Sequence, residues 1–548
     1  MSPTGVPPAA TLRRAMGLRT AVSTSTGLAF AALQYLAAAG LVAYVAGDSA
    51  WISIGVAGVL ALVAWAFFGE LNGMFPTAAA IRRYMSGAMD DRVALSITFT
   101  YLSTIVLVVA ADAFIVSAAL THVLHVAGWL TAVWTLALLA VAVASNLRGV
   151  TAAGWLQDVA TSVVLAATVV VSVVALSRSG TALRTPFQPL QHHSAAGFVE
   201  SVALGIFLYS AFEWVTTNAE EVRDPRHIHR AMLIAVAILF VVCAAMATAM
   251  SHVLTHAQLT TAYPQLSLGQ RAFGAAGLWL MAAVTAVTAL NTFNGGFITA
   301  SRFVYATARE GSLPPVLARL NDRAVPWVPV LGLGVVSFAV SLVVEAVGGS
   351  GWQVLVAVGA ALEGMIYAVA AFCVLRLRGR APDHHRPFRV PLVRVVSVGG
   401  LVVFGVLAVV ASVSVGNRFD PLPLAIIVGL GLASALYTVR VVPGLQAAEA
   451  ARRAARPTRR PPPTAPGRPG APRAAAAGRA VGSGPCLTVS TPRSRSTSRR
   501  SSPSRRRASR SSRPAWPNGW ARRPRPCRRC STGWRPTGSS PGPPGGSP

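Results

Sequence analysis

The chain has 548 residues, 53% of them hydrophobic and only 12% charged, with a mean hydropathy of +0.54, yet it carries 48 basic side chains against 18 acidic ones. A soluble domain has about a quarter of its residues charged, so that class is excluded. The charge is divided: residues 445–548 hold 23 arginines and one acid, Glu449, a net of +22, whereas residues 1–444 hold 25 arginines and 17 acids, a net of +8. Lysine is absent throughout.

In chain order, Arg13, Arg14 and Arg19 precede an apolar run of about 27 residues, longer than a signal-peptide core, so residues 1–19 read as a cytoplasmic N-terminus before a retained span. Runs of about 20 apolar residues, enough to cross a hydrocarbon core, then recur. They cover 20–46, 51–73, 96–120, 128–146, 155–176, 198–218, 231–251, 273–300, 326–348, 352–375, 394–415 and 420–441, twelve spans within residues 20–444. With the N-terminus inside, 21 arginines fall in inner segments and four (Arg178, Arg184, Arg271 and Arg418) in outer ones, which favours an even span number with both termini cytoplasmic. Cys243 and Cys373 lie in apolar runs, while Cys486, Cys527 and Cys530 lie in the tail, forming neither a disulfide framework nor a zinc pattern. No metal, cofactor or nucleotide motif occurs, which argues against an enzyme or an ATP-driven pump.

Asp112, Glu213 and Glu363 interrupt three of the spans. A charge in hydrocarbon costs about 2.5–3.5 kcal/mol on insertion scales, so such residues face a partner or a cavity. One could be a packing residue; three in different spans favour a polar pathway and hence transport.

Four stretches carry a resemblance. They are Gly69-Glu70-Leu71-Asn72-Gly73-Met74-Phe75-Pro76 with Tyr84; Phe207-Leu208-Tyr209-Ser210-Ala211-Phe212-Glu213 with Glu220-Glu221-Val222-Arg223-Asp224-Pro225; Ser301-Arg302-Phe303-Val304-Tyr305-Ala306-Thr307-Ala308-Arg309-Glu310-Gly311; and Arg386-Pro387-Phe388-Arg389-Val390-Pro391. In this order they resemble the amino acid–polyamine–organocation permease family over about residues 18–442. The resemblance implies an all-α membrane protein of twelve transmembrane helices, with a LeuT-like five-plus-five inverted repeat (about 20–176 and 198–375) and two extra helices (394–441). In that architecture the first helix of each repeat is broken near the midplane, where freed N–H groups attract a carboxylate and freed carbonyls accept from an ammonium. An amino acid zwitterion fits both.

By this resemblance the substrate is expected at Ser23, Thr24, Ser25, Thr26 and Gly27 in span 1 and at Phe207, Leu208, Ser210 and Ala211 in span 6, with Phe207 closing over it. Two departures stand out: span 1 keeps only Gly27 of the family's closely spaced glycines, and Ala211 replaces a glycine. Glu213 matches a position that responds to protons in some members; Asp112 and Glu363 are further coupling candidates, and Glu70, Glu220, Glu221, Arg302 and Arg309 are expected in an inner gate of ion pairs. Where several family members place a coupling lysine in span 5, this chain has Val164. Coupling through that lysine is excluded; proton coupling through the carboxyls, sodium coupling through Ser301 or Thr299, and plain exchange all remain open.

The expected function is a secondary active transporter of an amino acid or related amine in the cytoplasmic membrane. Its partners are the small-molecule substrate, the bilayer and a coupling ion, proton or sodium; no cofactor and no specific nucleic acid are expected. A polyamine or organic-cation carrier with Asp112 and Glu363 as amine partners is the alternative, and a permease-like sensor is a third. The tail 445–548 is rich in Arg, Pro, Ser, Ala and Gly and is expected to be disordered. It reads as an inner-leaflet anchor, a nucleic-acid binder or, preferred here, the product of a shifted frame in GC-rich DNA.

Overall fold

A computed structural model describes residues 14–31, 37–180, 195–347, 351–415 and 418–455. The expectations for the first 13 residues and for 456–548 lie outside the described residues. The chain divides into two units at Arg460, and only the first is described.

Among the described residues the architecture is helical. Spans 1 and 2 give α1 (Leu18–Ala29), α2 (Ala39–Ala46) and α3 (Ala50–Met74); α4 (Ala80–Ala88) follows the Phe75-Pro76 stop. Then come α5 (Asp91–Leu124), α6 (Leu130–Leu147) and α7 (Val150–Arg178). The second half runs through α8 (Ala195–Phe207), α9 (Arg226–Val253), α10 (His256–Leu259), α11 (Pro264–Phe273), α12 (Ala275–Arg309), α13 (Trp327–Val347) and α14 (Gly351–Arg380). Finally, α15 (Val393–Val413), α16 (Leu422–Arg440) and α17 (Val442–Ala455) close the described chain, so residues 445–455, expected as the start of the tail, are helical.

Local chemistry sets several ends. Asp90 caps α5 by accepting from the Arg92 N–H at 2.9 Å, and Pro264 opens α11, where a missing N–H costs nothing. The crossing of α11 and α12 needs Gly269 and Gly277, because a Cβ on either would lie within 2.3 Å of the other's carbonyl oxygen.

Eleven helical stretches among the described residues are long and apolar enough to cross a membrane, which makes this a multi-pass membrane protein. The expected first span is not a single helix. The first part, α1, ends at Ala29, with Phe30 and Ala31 outside it, and its 12 residues reach about 18 Å at 1.5 Å per residue, short of a bilayer core of about 30 Å. The expected sixth span is interrupted too: α8 stops at Phe207, turns occupy 208–211, and a 3₁₀ segment runs over Phe212–Asn218. Burial separates inner from outer helices. The most apolar window of α14 is 89% buried, whereas that of the helix beginning at Leu422 is 11% buried, so α14 stands in the interior and α16 turns its Leu424, Val428, Leu432 and Leu436 outward.

Candidate functional site

The site is built where the two interruptions meet. Past Phe207 the backbone tightens to three-residue hydrogen bonds, from the N–H of Leu208, Tyr209 and Ser210 to the carbonyls of Gly205, Ile206 and Phe207. Ala211 then takes φ +73°, the left-handed region that strains a residue with a Cβ, before the 3₁₀ run begins. Seven residues of 3₁₀ helix is long for that geometry, whose hydrogen bonds are poorer than those of an α-helix. Two contacts hold the break from outside. The Tyr209 hydroxyl donates to the Ile54 carbonyl at 2.9 Å over the bare Cα of Gly58, and the Ser25 hydroxyl of α1 donates to the Phe212 carbonyl at 2.6 Å.

Of the expected substrate residues, Phe207, Leu208, Ser210 and Ala211 are buried at this break. The Phe207 ring presses on α14 where Gly359 leaves room; a Cβ there would come within 2.4 Å of the ring. Ser23, Thr24, Ser25, Thr26 and Gly27 are also buried, but they differ from the expected unwound stretch. All five lie inside the regular helix α1, which ends two residues later at Ala29. The physical reason is tertiary: side chains from α12 reach the carbonyls near the end of α1, Asn291 to that of Gly27 at 3.5 Å and Thr292 to that of Phe30 at 3.4 Å. The hydroxyls of Thr24 and Thr26 are buried with no hydrogen-bond partner among the described residues.

Glu213 and Glu363 come together. Glu213, in the 3₁₀ segment, accepts from the Tyr101 hydroxyl of α5 and, at 3.2 Å, from the Tyr367 hydroxyl of α14. Both oxygens of Glu363, one helical turn before Tyr367, lie 3.3 Å from the same Tyr101 oxygen. All four side chains are buried. Trp214 stacks on Tyr101 with centroids 4.9 Å apart, and Phe68, Phe212 and Phe404 surround the Tyr367 ring. Asp112 does not share this position: it is buried on α5 eleven residues beyond Tyr101, about 16 Å along the helix axis. Asp112 and Glu363 therefore do not flank one ammonium.

A second polar cluster, not anticipated from the sequence, joins α1, α6, α7 and α12. Gln157 donates to the Ser23 carbonyl at 3.3 Å, and Thr161 lies 3.3 Å from that carbonyl and 3.2 Å from the Asn291 side-chain oxygen. Asn294 donates to Gln157 at 3.1 Å and accepts from Asn146 at 2.9 Å. Gln157 and Thr161, seven and three positions before Val164, face α1 from α7, as does Asp158, which meets Thr20 and Arg19; Val164 is buried in the core. Neutral amides in apolar runs give no charge signal, although a glutamine within span 5 and two asparagines three apart in span 8 were visible.

The expected gate residues form ion pairs at the arginine-rich end. Arg302 pairs with Glu221 at 3.1 Å, both almost fully buried, and Arg309 with Glu220 at 3.0 Å. Glu70 accepts from Arg378 at 2.7 Å through both oxygens, pairs with Arg386 at 3.2 Å and takes the Val390 N–H at 2.7 Å. Arg82 bridges Asp91 and Glu310. The residues before α1 join this end: Ala15 and Met16 donate their N–H groups to the Glu221 carbonyl at 2.9 and 3.0 Å, a backbone clasp with no sequence signature.

Residues 16–433, from this clasp to α16, match a family model described as an amino acid permease. The chain belongs to the amino acid permease family. The chain is 29% identical over 209 residues to the Asc-type amino acid transporter 1 of Mus musculus, covering 37% of each chain. It is 28% identical over 193 residues to the large neutral amino acids transporter small subunit 2 of Homo sapiens, 34% of each, and 28% over 197 residues to the vacuolar cationic amino acid transporter 4 of Arabidopsis thaliana, 34% of this chain and 30% of that one. The chain thus spans about a third of the length of the curated relatives it matches.

Proposed function

We propose that the permease is a secondary active transporter of an amino acid, working by alternating access in the cytoplasmic membrane with both termini inside. The observation that carries this reading is the paired interruption of the chain, between α1 and α2 and between α8 and the 3₁₀ segment, tied together by Ser25 and Phe212. Taking α1 and α2 as two halves of one span gives twelve spans in a five-plus-five repeat, with α15 and α16 outside it. Substrate binds beside the interruptions, where the free Thr24 and Thr26 hydroxyls supply donors for a carboxylate and the carbonyls of the 208–210 turn supply acceptors for an ammonium. The ion pairs of Glu70, Glu221 and Arg302 form the inner gate.

The coupling ion in this reading is the proton, held by Glu213 and Glu363. One Tyr101 hydrogen cannot satisfy three carboxylate oxygens around its hydroxyl, and two carboxyls that share one hydroxyl are stabilised when a proton is held between them. A proton on Glu363 can be donated to Tyr101, which donates to Glu213. The hydroxyls that meet the pair are those of Tyr101 from α5 and Tyr367 from α14, and the rings packed on these two tyrosines, Phe68, Phe212, Trp214 and Phe404, are uncharged. Where α1 meets α7 and α12, the Ser23 and Gly27 carbonyls accept from the amides of Gln157 and Asn291.

Uptake of a labelled amino acid panel into proteoliposomes tests this. Accumulation driven by an inward proton gradient and indifferent to sodium is expected. Accumulation of cationic amines alone would establish the organic-cation carrier, and absence of transport for every amine and amino acid would favour a sensor.

A further inference from the structure

Away from the helix breaks, a pocket of about 300 Å³ opens at the arginine-rich end between α3, the start of α9 and the loop from α14 to α15. Arg226 and Arg230, one turn apart on α9, are exposed at its rim, and neither guanidinium is in an ion pair among the described residues. Asp224, the nearest carboxylate in sequence, is taken up by the Arg226 N–H at 2.9 Å. On the pocket wall the His229 ring packs against Phe388 at 4.5 Å; behind it the His229 ring stacks on Trp65 at 4.4 Å, and the Trp65 indole donates to the His229 carbonyl at 2.9 Å. Below the two arginines the same face of α9 continues with exposed Leu233, Ile234 and Val241, and the neighbouring α3 exposes Val59 and Leu62.

The pocket therefore has a cationic mouth that continues directly into an apolar face. A soluble anion would use only the first feature and a neutral lipid only the second. We propose that it binds one anionic phospholipid, the phosphate on Arg226 and Arg230 and the acyl chains along the exposed face of α3 and α9. Guanidinium groups suit phosphate oxygens through paired hydrogen bonds, and basic residues at a membrane surface favour anionic lipid. The site also touches the segment after α14 that Glu70 holds through Val390, so a bound headgroup would brace the same end as the ion pairs. It assigns a ligand separate from the transported substrate, and its readout is binding rather than uptake.

The test uses delipidated full-length protein in detergent, titrated with phosphatidylglycerol, phosphatidylcholine or soluble glycerol phosphate, following the thermal midpoint and the lipid retained in native mass spectrometry. Phosphatidylglycerol alone is expected to raise the midpoint and stay bound. Arg226→Gln with Arg230→Gln should weaken its binding roughly thirty-fold, about five-fold for each arginine. Arg148→Gln with Arg319→Gln, which removes equal charge from exposed positions elsewhere at that end, should leave binding unchanged. Equal effects of phosphatidylcholine, an equal effect of glycerol phosphate, undiminished binding by the first double variant or an equal loss in the second would each overturn the proposal. The three wild-type titrations decide it even if a variant folds poorly.

Discussion

Ala211 concentrates at one residue what the helix break demands. At φ +73° an alanine pays about 1–2 kcal/mol that glycine does not, while glycine loses about 0.5–1 kcal/mol more chain entropy on folding. Ala211→Gly is therefore expected to raise stability by up to about 1 kcal/mol, read as a higher thermal midpoint; a lower midpoint would show that the left-handed turn is not strained. Gly27 is the opposite case, since a Cβ there would sit 1.8 Å from the Gln157 amide nitrogen and 2.9 Å from that of Asn291. Gly27→Ala should displace Gln157 and abolish uptake even where the protein still folds, as checked by transport beside a melting curve. Glu363→Gln keeps a donor for Tyr101 but fixes the protonated form. Exchange of substrate across the membrane should survive while proton-driven accumulation and its pH dependence disappear, as should the pH dependence of Glu213→Gln; an unchanged profile in both would remove the pair from coupling.

At the scale of elements, the sixth span shows why an interruption in sequence need not be spelled with glycine. The bond from Tyr209 to Ile54 of α3, that from Ser25 of α1 and the packing of Phe207 against Gly359 of α14 hold the break from three sides, so tertiary contacts impose what local propensity does not. The Arg302–Glu221 pair at the other end of the segment is buried to within a few per cent of complete. Removing one partner, as in Glu221→Gln, leaves a buried charge and is expected to cost about 3–5 kcal/mol, whereas Glu221→Leu with Arg302→Met should cost much less. Melting midpoints of the two proteins in one detergent make the comparison, and similar losses would mean that the pair is solvated in the working protein.

For the whole molecule, the arginine asymmetry makes a topological prediction. A cysteine at Arg319 should resist a membrane-impermeant thiol reagent added outside intact cells and react after permeabilisation, while one at Arg271 should react at once; the reverse pattern would invert every loop. The spans, their order and the four motifs were legible in the sequence, because hydrophobic length and the siting of arginine are properties of the chain alone and follow directly from the cost of burying charge in hydrocarbon. Asp112, Glu213 and Glu363 could be picked out for the same reason, and Glu70 and Arg302 through the resemblance of the motifs that hold them. Their partners could not: Tyr101 lies 112 residues from Glu213, and Arg378 lies 308 from Glu70. Nor could the neutral cradle of Gln157, Thr161 and Asn291, or the separation of Asp112 from Glu363. A single sequence records which groups must find a partner away from lipid; only the packing of α1, α5, α7, α12 and α14 decides which partner each one finds, because the distances that determine electrostatic and hydrogen-bond energy arise between helices remote in the chain.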